Sequence, residues 1–332
     1  MTTLPELIIL DVGHGGCAIL KDTNEVVIID CAPGSTLIET LEHLKIREIS
    51  SILISHADYD HIGGLIALLS SEEIKIHNLF LNPNILKETE VWEDLRFVVR
   101  DARKRGFIRV HTVLTTEQTG QVDTKQVKIE ILAPSPELAM SGAGGKDLQK
   151  RRLDSNSMSA VIGLVHNSHR VAILPGDIDE VGFNNLTDDH IDLSADILVF
   201  PHHGGKPGKA DGEAFAYTLC KLIKPKLVLF SFARNRLKNP REEIIKGIRS
   251  AAPNAYFVCT QLSSRCADQL PSANFDHLSK LPAKGYGSKS CCGGTIVISI
   301  NEKNTIDILS FKGHSLFVRN KVPTPLCLKI LT

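Results

Sequence analysis

The sequence predicts an α+β fold in which two β-sheets pack face to face and carry helices on their outer sides. Short apolar runs typical of buried strands recur along the chain. The first runs are separated mostly by turns, which a doubly wound parallel sheet would not show. Five of the runs end in polar groups, at Asp11/His14, Asp30, His56–His61, Asp177 and His202/His203. This distribution fits a sandwich with the polar groups along one edge.

The composition is that of a soluble globular protein, with 42% apolar and 23% charged residues in a chain of 332. Lys+Arg and Asp+Glu are equal at 38 each, so no overall charge marks a nucleic-acid or membrane partner, although a local basic groove stays possible. No apolar run reaches the roughly 18 residues of a membrane span. The eight cysteines are irregularly spaced, as in reduced thiols, and the N-terminus lacks a signal-peptide pattern. We therefore expect a cytoplasmic protein without a membrane partner.

The most informative stretch is residues 55–64, Ser-His-Ala-Asp-Tyr-Asp-His-Ile-Gly-Gly, between a predicted strand and a predicted helix. Two histidines and two aspartates within six positions suit Zn, Mn or Fe in the +2 state. His56 and Asp58 alternate, so on an extended backbone they share a face. Asp60 and His61 lie past the bend and can reach a second ion. We predict all four as metal ligands.

This stretch resembles the His-x-(His/Asp)-x-Asp-His signature of the metallo-β-lactamase superfamily. The order of motifs is also similar to the hydrolase domain of DNA-uptake competence proteins: Asp-Val-Gly-His-Gly-Gly at 11–16, Ile-Asp at 29–30, then residues 55–64. His14 stands where those proteins have Gln, and Gly16 where they have Asp. The resemblance implies a four-layer αββα metallo-β-lactamase sandwich. We expect a hydrolase domain over residues 1–260, and a β-rich C-terminal extension over 261–332 that packs on it.

The resemblance also implies the remaining site. Asp177 would bridge two metal ions, and one of His202 and His203 would bind metal while the other contacts substrate. Asn156 and Ser159 would orient and stabilise a phosphate. Zn²⁺ is the expected metal, with Mn²⁺ as a competitor because two Asp replace one usual His. The two ions would activate a water as hydroxide. Catalytic roles therefore fall on Asp60, His202, His203, Asn156 and Ser159, and substrate-binding roles on Lys206, Asn235 and Arg236.

Other segments are predicted from pattern alone. Residues 86–104 form a charged helix, whose basic residues we interpret as a solvated face rather than a phosphate-binding ridge. Residues 134–152 have no periodicity and form either a lid or an ordinary surface loop. Asn239 is expected to cap a helix that begins with Pro240. Four cysteines, at 259, 266, 291 and 292, lack the spacing of a strong zinc site. Strands are predicted in the tail at Tyr256–Thr260, Thr295–Ile300, Ile306–Leu309 and Leu316–Arg319.

Three functions remain open. The first is a metal-dependent phosphodiesterase or nuclease with DNA as substrate. The second is hydrolysis of another ester, such as a lactone, a thioester or a phosphocholine ester. The third is a non-catalytic metal-binding subunit of a DNA-processing or defence complex, which would have a protein partner. A basic groove near Lys206, Arg234 and Arg236 would favour the first, and a closed apolar pocket the second.

Overall fold

The computed structural model describes residues 4–106, 108–188, 191–234, 236–272, 275–301 and 311–328. Its strands are β1 (Glu6–Ile9), β2 (Ala18–Asp22), β3 (Glu25–Ile29), β4 (Glu48–Ile54), β5 (Lys75–Leu81), β6 (Arg109–His111), β7 (Val127–Ala133), β8 (Val161–His166), β9 (His169–Leu174), β10 (Ile197–Val199), β11 (Leu227–Phe230), β12 (Tyr256–Cys259) and β13 (Ile296–Ser299). Its helices are α1 (Thr36–His43), α2 (Tyr59–Ile62), α3 (Leu65–Ser70), α4 (Glu90–Lys104), α5 (Pro136–Ser141), α6 (Glu180–Asp188), α7 (Gly212–Ile223), α8 (Glu242–Ala251) and α9 (Lys312–Lys321).

The described strands form two sheets. The first has the order β13-β1-β2-β3-β4-β5-β6, and the second β12-β11-β10-β9-β8-β7. In the first sheet β3 to β6 are parallel, while β13, β1, β2 and β3 pair antiparallel. In the second sheet β9 to β12 are parallel, and β7, β8 and β9 pair antiparallel. Each sheet therefore joins a hairpin region to a parallel region.

Alternation of side chains along the strands builds three apolar layers. Leu53 of the first sheet and Leu229 of the second belong to the core between the sheets. Ile52, on the opposite face of β4, packs in a cluster with residues of α1, α3 and α4. Val228, on the opposite face of β11, packs with residues of α6, α7 and α8. The result is helix, sheet, sheet, helix, which confirms the predicted αββα fold.

The C-terminal residues join both sides of this sandwich. Strand β13 pairs with β1, and Leu7 lies opposite Ile298. Asp11 is buried and accepts hydrogen bonds from Gly13 N, Gly285 N and Gln261 Nε2 at 3.2, 2.8 and 2.9 Å. Burial raises the pKa of Asp11 despite these hydrogen bonds. The domain boundary at residue 260 stays a prediction.

Several local predictions need correction. The strand predicted at Leu316–Arg319 is wrong, because these residues lie in α9 and bury Phe317 and Val318 in the helical layer. The predicted strand at Ile306–Leu309 lies outside the described residues. The aperiodic segment 134–152 contains α5, whose Ser135 side chain accepts a hydrogen bond from Leu138 N. Helix α4 begins at Glu90 rather than 86, after Thr89 as its N-cap.

The helix predicted to begin at Asn239 also starts later. Arg241 occupies the N-cap position of α8, and Asn239 does not cap it. The Asn239 side chain is buried instead beside the second sheet's edge, where its Nδ2 lies 3.4 Å from the carbonyl of His202. Among the described helices, none combines the length and the apolar character that crossing a bilayer requires.

Candidate metal centre

The polar side chains predicted at strand ends meet at one edge of the sandwich. Asp30 follows β3 and His56 follows β4 in the first sheet. Asp177 follows β9 and His203 follows β10 in the second. All four strands run in parallel pairs, whose carboxyl ends share an edge of each sheet. The two facing edges therefore bring together residues that are distant in the sequence.

At the centre of this edge, Asp60, His61, Asp177 and His203 each offer one ligand atom, and the four atoms lie within 4.8 Å of one another. His203 Nε2 lies 3.4 Å from Asp60 Oδ2 and 3.5 Å from Asp177 Oδ2. His61 Nε2 lies 3.6 Å from Asp177 Oδ1. In the part of the chain that the structure describes, this is the one group with such convergence. We call it the central cluster.

The central cluster fits a divalent metal. The Nε2 atoms of His61 and His203 are buried and have no hydrogen-bond partner. Buried polar atoms normally find one, so two unpartnered nitrogens facing two carboxylates are suited to hold a cation between them. Imidazole and carboxylate are ligands that Zn²⁺ and Mn²⁺ accept. The residues of the cluster could therefore hold one ion.

Electrostatics within the central cluster are strongly coupled. Burial disfavours a charged imidazole, yet Asp177 raises the pKa of His203 to about 9, and Asp30 and Asp177 raise the pKa of His61. Burial likewise opposes ionisation of Asp177, but His203 and His61 hold its pKa well below the usual range. Protons on the histidines thus neutralise the carboxylates, and a metal ion would have to displace them.

Asp30 supports His61 from behind. His61 Nδ1 donates to Asp30 Oδ2 at 2.7 Å, and Asp30 also accepts from the backbone and hydroxyl of Ser55 at 2.7 and 2.8 Å. This bond fixes the tautomer of His61 with the Nε2 lone pair towards the cluster. Gly16 makes room for the pair, because a Cβ there would lie 2.8 Å from the His61 ring. Asp30 itself takes a left-handed backbone with φ of 60°.

His56 and Asp58 lie beside the central cluster rather than in it. His56 Nε2 is 4.0 Å from Asp58 Oδ1, and the rings of His56 and His61 are 4.1 Å apart. Burial and the neighbouring His61 lower the pKa of His56 to about 4, so this imidazole is neutral. Asp58 Oδ1 pairs with the ammonium of Lys87 at 2.7 Å. Sequence reasoning missed Lys87, because its segment is predicted as the solvated face of a helix.

The structure separates the two adjacent histidines. His203 belongs to the central cluster, whereas the Nε2 of His202 donates to the carbonyl of Ile178 at 3.2 Å. The backbone N–H of His202 donates to Asp177 Oδ1 at 2.9 Å, and its Nδ1 lies 3.7 Å from Asp177 Oδ2. Both histidines have positive φ, at 51° and 55°. This backbone, which is unusual for two successive residues with side chains, turns His203 inward.

Asn156 and Ser159 lie at the head of β8, and only one of them has an unused polar atom. Ser159 is buried, donates to Pro175 O at 3.1 Å and accepts from Asp177 N at 3.2 Å. Its hydroxyl therefore holds the Asp177 turn, and its contact with a phosphate stays a prediction. Asn156 Oδ1 is buried without a hydrogen-bond partner.

The predicted substrate-binding residues lie in loops at this edge. Lys206 and Arg236 are exposed, and neither has an ion-pair partner among the residues that the structure describes. Asn235 lies outside the described residues. Arg234 does not contribute to a basic groove, because it is buried and donates to the carbonyls of Leu262, Ala267 and Asp268.

The sequence places His14 at this edge but assigns it no role in the site. Its Nε2 lies 3.3 Å from Asp60 Oδ2, and its ring centroid is 4.5 Å from that of His203. His14 Nδ1 is buried without a hydrogen-bond partner. The one available signal was its position in the motif at 11–16, where the resembling proteins carry Gln. The eight cysteines are free thiols, and none of them joins a metal-binding group in the described residues.

Residues 10–122 match the sequence profile of the metallo-β-lactamase superfamily. The chain carries a metallo-β-lactamase superfamily domain. The matched residues include His14, Asp30 and the whole 55–64 stretch, and the αββα layers agree with the assignment. This domain places the protein in the general class of metallo-hydrolases.

A curated relative and several solved structures are similar to this chain. ComE operon protein 3 of Bacillus subtilis is 24% identical over 215 residues, which are 63% of this chain and 23% of the relative. This chain thus matches about a quarter of that protein's length. YhfI of B. subtilis, a metallo-β-lactamase fold protein, has a TM-score of 0.45 at 11% identity and covers 77% of this chain and 96% of its own. The short form of human tRNase Z has a TM-score of 0.39 at 16% identity, over 69% and 92% of the two chains.

Proposed function

We propose that this protein is a metal-dependent phosphodiesterase that cuts DNA. The observation that carries the proposal is the central cluster, in which two carboxylates and two imidazoles converge at an edge lined by unpaired exposed cations. Asp60, His61, Asp177 and His203 would hold the metal, with Zn²⁺ or Mn²⁺ as the ion. When bound, such an ion supplies a Lewis acid and a nucleophile at neutral pH.

The protein's own groups would prepare the site for a phosphodiester. The hydrogen bond to Asp30 holds His61 in the ligand tautomer, and Ser159 and the N–H of His202 hold Asp177 in place. Lys206 and Arg236 would contact the anionic backbone of the substrate, since exposed cations without carboxylate partners are free to bind phosphate. His202, whose Nδ1 is next to Asp177, is the proposed substrate contact of the histidine pair.

The shape of the site supports an extended substrate. The cavity that reaches His61, Asp177 and His203 from inside the sandwich holds about 40 Å³. Pockets that enclose small-molecule ligands hold about 300–1,000 Å³. A substrate must therefore approach from the open edge, where Asp60 is partly exposed. A DNA strand lying across this edge can present a phosphate to the cluster while the rest remains in solvent.

The order of the motifs and the similarity to the curated relative support DNA as the substrate class. The motif order resembles the hydrolase domain of DNA-uptake competence proteins, and the curated relative bears the name ComE operon protein 3. The family match covers the part of this chain that contains Asp60 and His61. We further propose a role inside the cell and a protein partner in a DNA-processing or defence complex.

The test is cleavage of labelled single- and double-stranded DNA by metal-free protein to which Zn²⁺ or Mn²⁺ is added. We expect metal-dependent cutting by the wild type and its loss in Asp177→Asn. Asp196→Asn is the matched control, because Asp196 is also a buried carboxylate but pairs with Lys226 away from the cluster. A panel of lactone, thioester and phosphocholine substrates runs in parallel.

Each alternative result is informative. Hydrolysis of one of the small esters without cutting of DNA would overturn the substrate and support the second function. Metal bound at the cluster without turnover of any substrate would overturn the enzymatic proposal and favour a metal-binding subunit.

A further inference from the structure

A lysine pairs with one of the residues that the sequence predicts as metal ligands outside the central cluster. His56 and Asp58 offer two ligand atoms, His56 Nε2 and Asp58 Oδ1, 4.0 Å apart. The Nζ of Lys87 is 2.7 Å from Asp58 Oδ1, a hydrogen-bonding distance for an ammonium and a carboxylate. Ser155 is a hydrogen-bond partner of the Asp58 carboxylate, and Asn156 directly follows Ser155. We call His56, Asp58 and Asn156 the lateral subsite.

The lateral subsite fits an ammonium better than a metal ion. Zn²⁺ in proteins takes three or four protein ligands, drawn mainly from Cys, His and carboxylate. The lateral subsite offers one imidazole, one carboxylate and an amide oxygen, and an amide is a weak ligand for such an ion. His56 Nε2 and Asn156 Oδ1 are buried acceptors without a donor. Lys87 carries three N–H donors on a positive charge, and its ion pair at this subsite is with Asp58.

The position of Lys87 is built into the fold rather than left to a free side chain. The loop after β5 is held by Asn84, which is buried and donates to Ser155 Oγ at 3.1 Å. Asn84 Oδ1 also accepts from Leu86 N at 3.1 Å, and Lys87 N lies 3.4 Å from Asn84 O. Ser155 directly precedes Asn156. These contacts tie the Lys87 loop to the loop that carries Asn156.

We infer that the protein binds a single divalent ion, at the central cluster, and that the ammonium of Lys87 takes the place of the second cation at the lateral subsite. Lys87 would then supply the fixed positive charge that orients an oxygen of the substrate phosphate. This inference deepens the proposed function and rests on it for the role of the substrate. The count of metal ions does not depend on any substrate.

The test is the number of Mn²⁺ ions bound per chain. Metal-free protein is titrated with Mn²⁺, free ion is followed by electron paramagnetic resonance, and retained metal is counted by mass spectrometry after dialysis. We expect one ion in the wild type with the spectrum of an isolated Mn²⁺. Asp58→Asn should keep that ion, and Asp177→Asn should lose it.

Lys87→Leu removes the ammonium and frees Asp58, so a second, weaker ion should bind and couple magnetically to the first. Lys226→Leu is the matched control, since Lys226 Nζ pairs with Asp196 Oδ1 at 2.8 Å away from the site; it should bind one ion. Two ions in the wild type would overturn the inference, as would a single ion in a folded Lys87→Leu variant. If that variant fails to fold, wild type and Asp58→Asn still decide the count.

DNA cleavage is measured separately in the same preparations. A wild type that binds one ion but does not cut DNA would leave the metal count standing and overturn the proposed substrate. A wild type that binds two ions and cuts DNA would do the reverse. The two failures are therefore distinguishable.

Discussion

Replacing Asp30 by Asn should weaken metal binding without removing any proposed ligand. Asp30 Oδ2 accepts the Nδ1 proton of His61 at 2.7 Å, while Oδ1 accepts the backbone N–H of Ser55 at 2.7 Å. If the side-chain oxygen of the new Asn still accepts the hydrogen bond from Ser55 N–H, the NH₂ group of that Asn faces His61 Nδ1. The imidazole must then carry its proton on Nε2, the atom that faces the central cluster.

The size of the effect follows from the role of this hydrogen bond. Removing the partner of a metal-binding histidine typically lowers metal affinity about 10–100-fold. This range corresponds to about 1.4–2.7 kcal/mol in binding free energy. Because His61 is buried and has no other partner at Nδ1 closer than the Ser55 hydroxyl at 3.4 Å, we expect the upper part of the range.

The assay is competition between the protein and a chelating dye for Zn²⁺ at neutral pH. Asp22→Asn is the control, because Asp22 is a buried acceptor for Thr124 Oγ1 at the other end of the hairpin and has no histidine partner among the described residues. We expect Asp22→Asn to lower stability and leave Zn²⁺ affinity unchanged. A Zn²⁺ affinity of Asp30→Asn within about twofold of the wild type would refute the tautomer argument.

Three further predictions concern stability. In Gly176→Ala the new Cβ would lie 2.3 Å from Ser159 Oγ, whereas Gly208 shares a positive φ but has open space around it. Gly176→Ala should therefore lower the free energy of unfolding in urea by about 1–3 kcal/mol more than Gly208→Ala does. Although burial opposes protonation, Asp177 raises the pKa of His203 to about 9. Protonated His203 therefore stabilises the metal-free fold fully below about pH 6.5, and this stabilisation is lost as the pH rises through about 9. Urea unfolding across that range should show the loss in the wild type and a flatter profile in His203→Gln. Asp11→Ala leaves three buried donors without an acceptor and should cost about 2–4 kcal/mol; a cost below about 1 kcal/mol in urea unfolding would contradict this role.

The residues that can be predicted well from the sequence are those that directly follow a strand. An apolar strand followed by carboxylates and imidazoles defines both an element and the edge where it ends, so Asp60, His61 and Asp177 could be named in advance. The choice between His202 and His203 could not be made, because adjacent residues on a regular strand simply point to opposite sides. In the structure, two successive left-handed residues, which no periodicity indicates, place His203 rather than His202 in the central cluster.

The site residues for which the sequence predicts no role are those that reach the site from loops. His14 comes from a glycine-rich turn and Lys87 from the start of a charged segment, and both contacts arise from packing between distant loops. The prediction for the tail failed for another reason. Leu316, Phe317 and Val318 form a short apolar run, which fits a buried strand and a helix face equally well. The packing of α9 on the second sheet's helical layer decides for the helix.

The pairing of β1 with β13 has a consequence for how the chain is made. Asp11 N donates to Thr295 Oγ1, 284 residues later, so during synthesis β1 lacks its neighbour β13 until those residues have been added. At translation rates of about 5–20 residues per second, the edge of β1 waits for roughly 15–60 s. During that interval it presents unpaired backbone groups to other nascent chains. Slower translation or the loss of β13 would therefore raise aggregation before it changed any property of the central cluster.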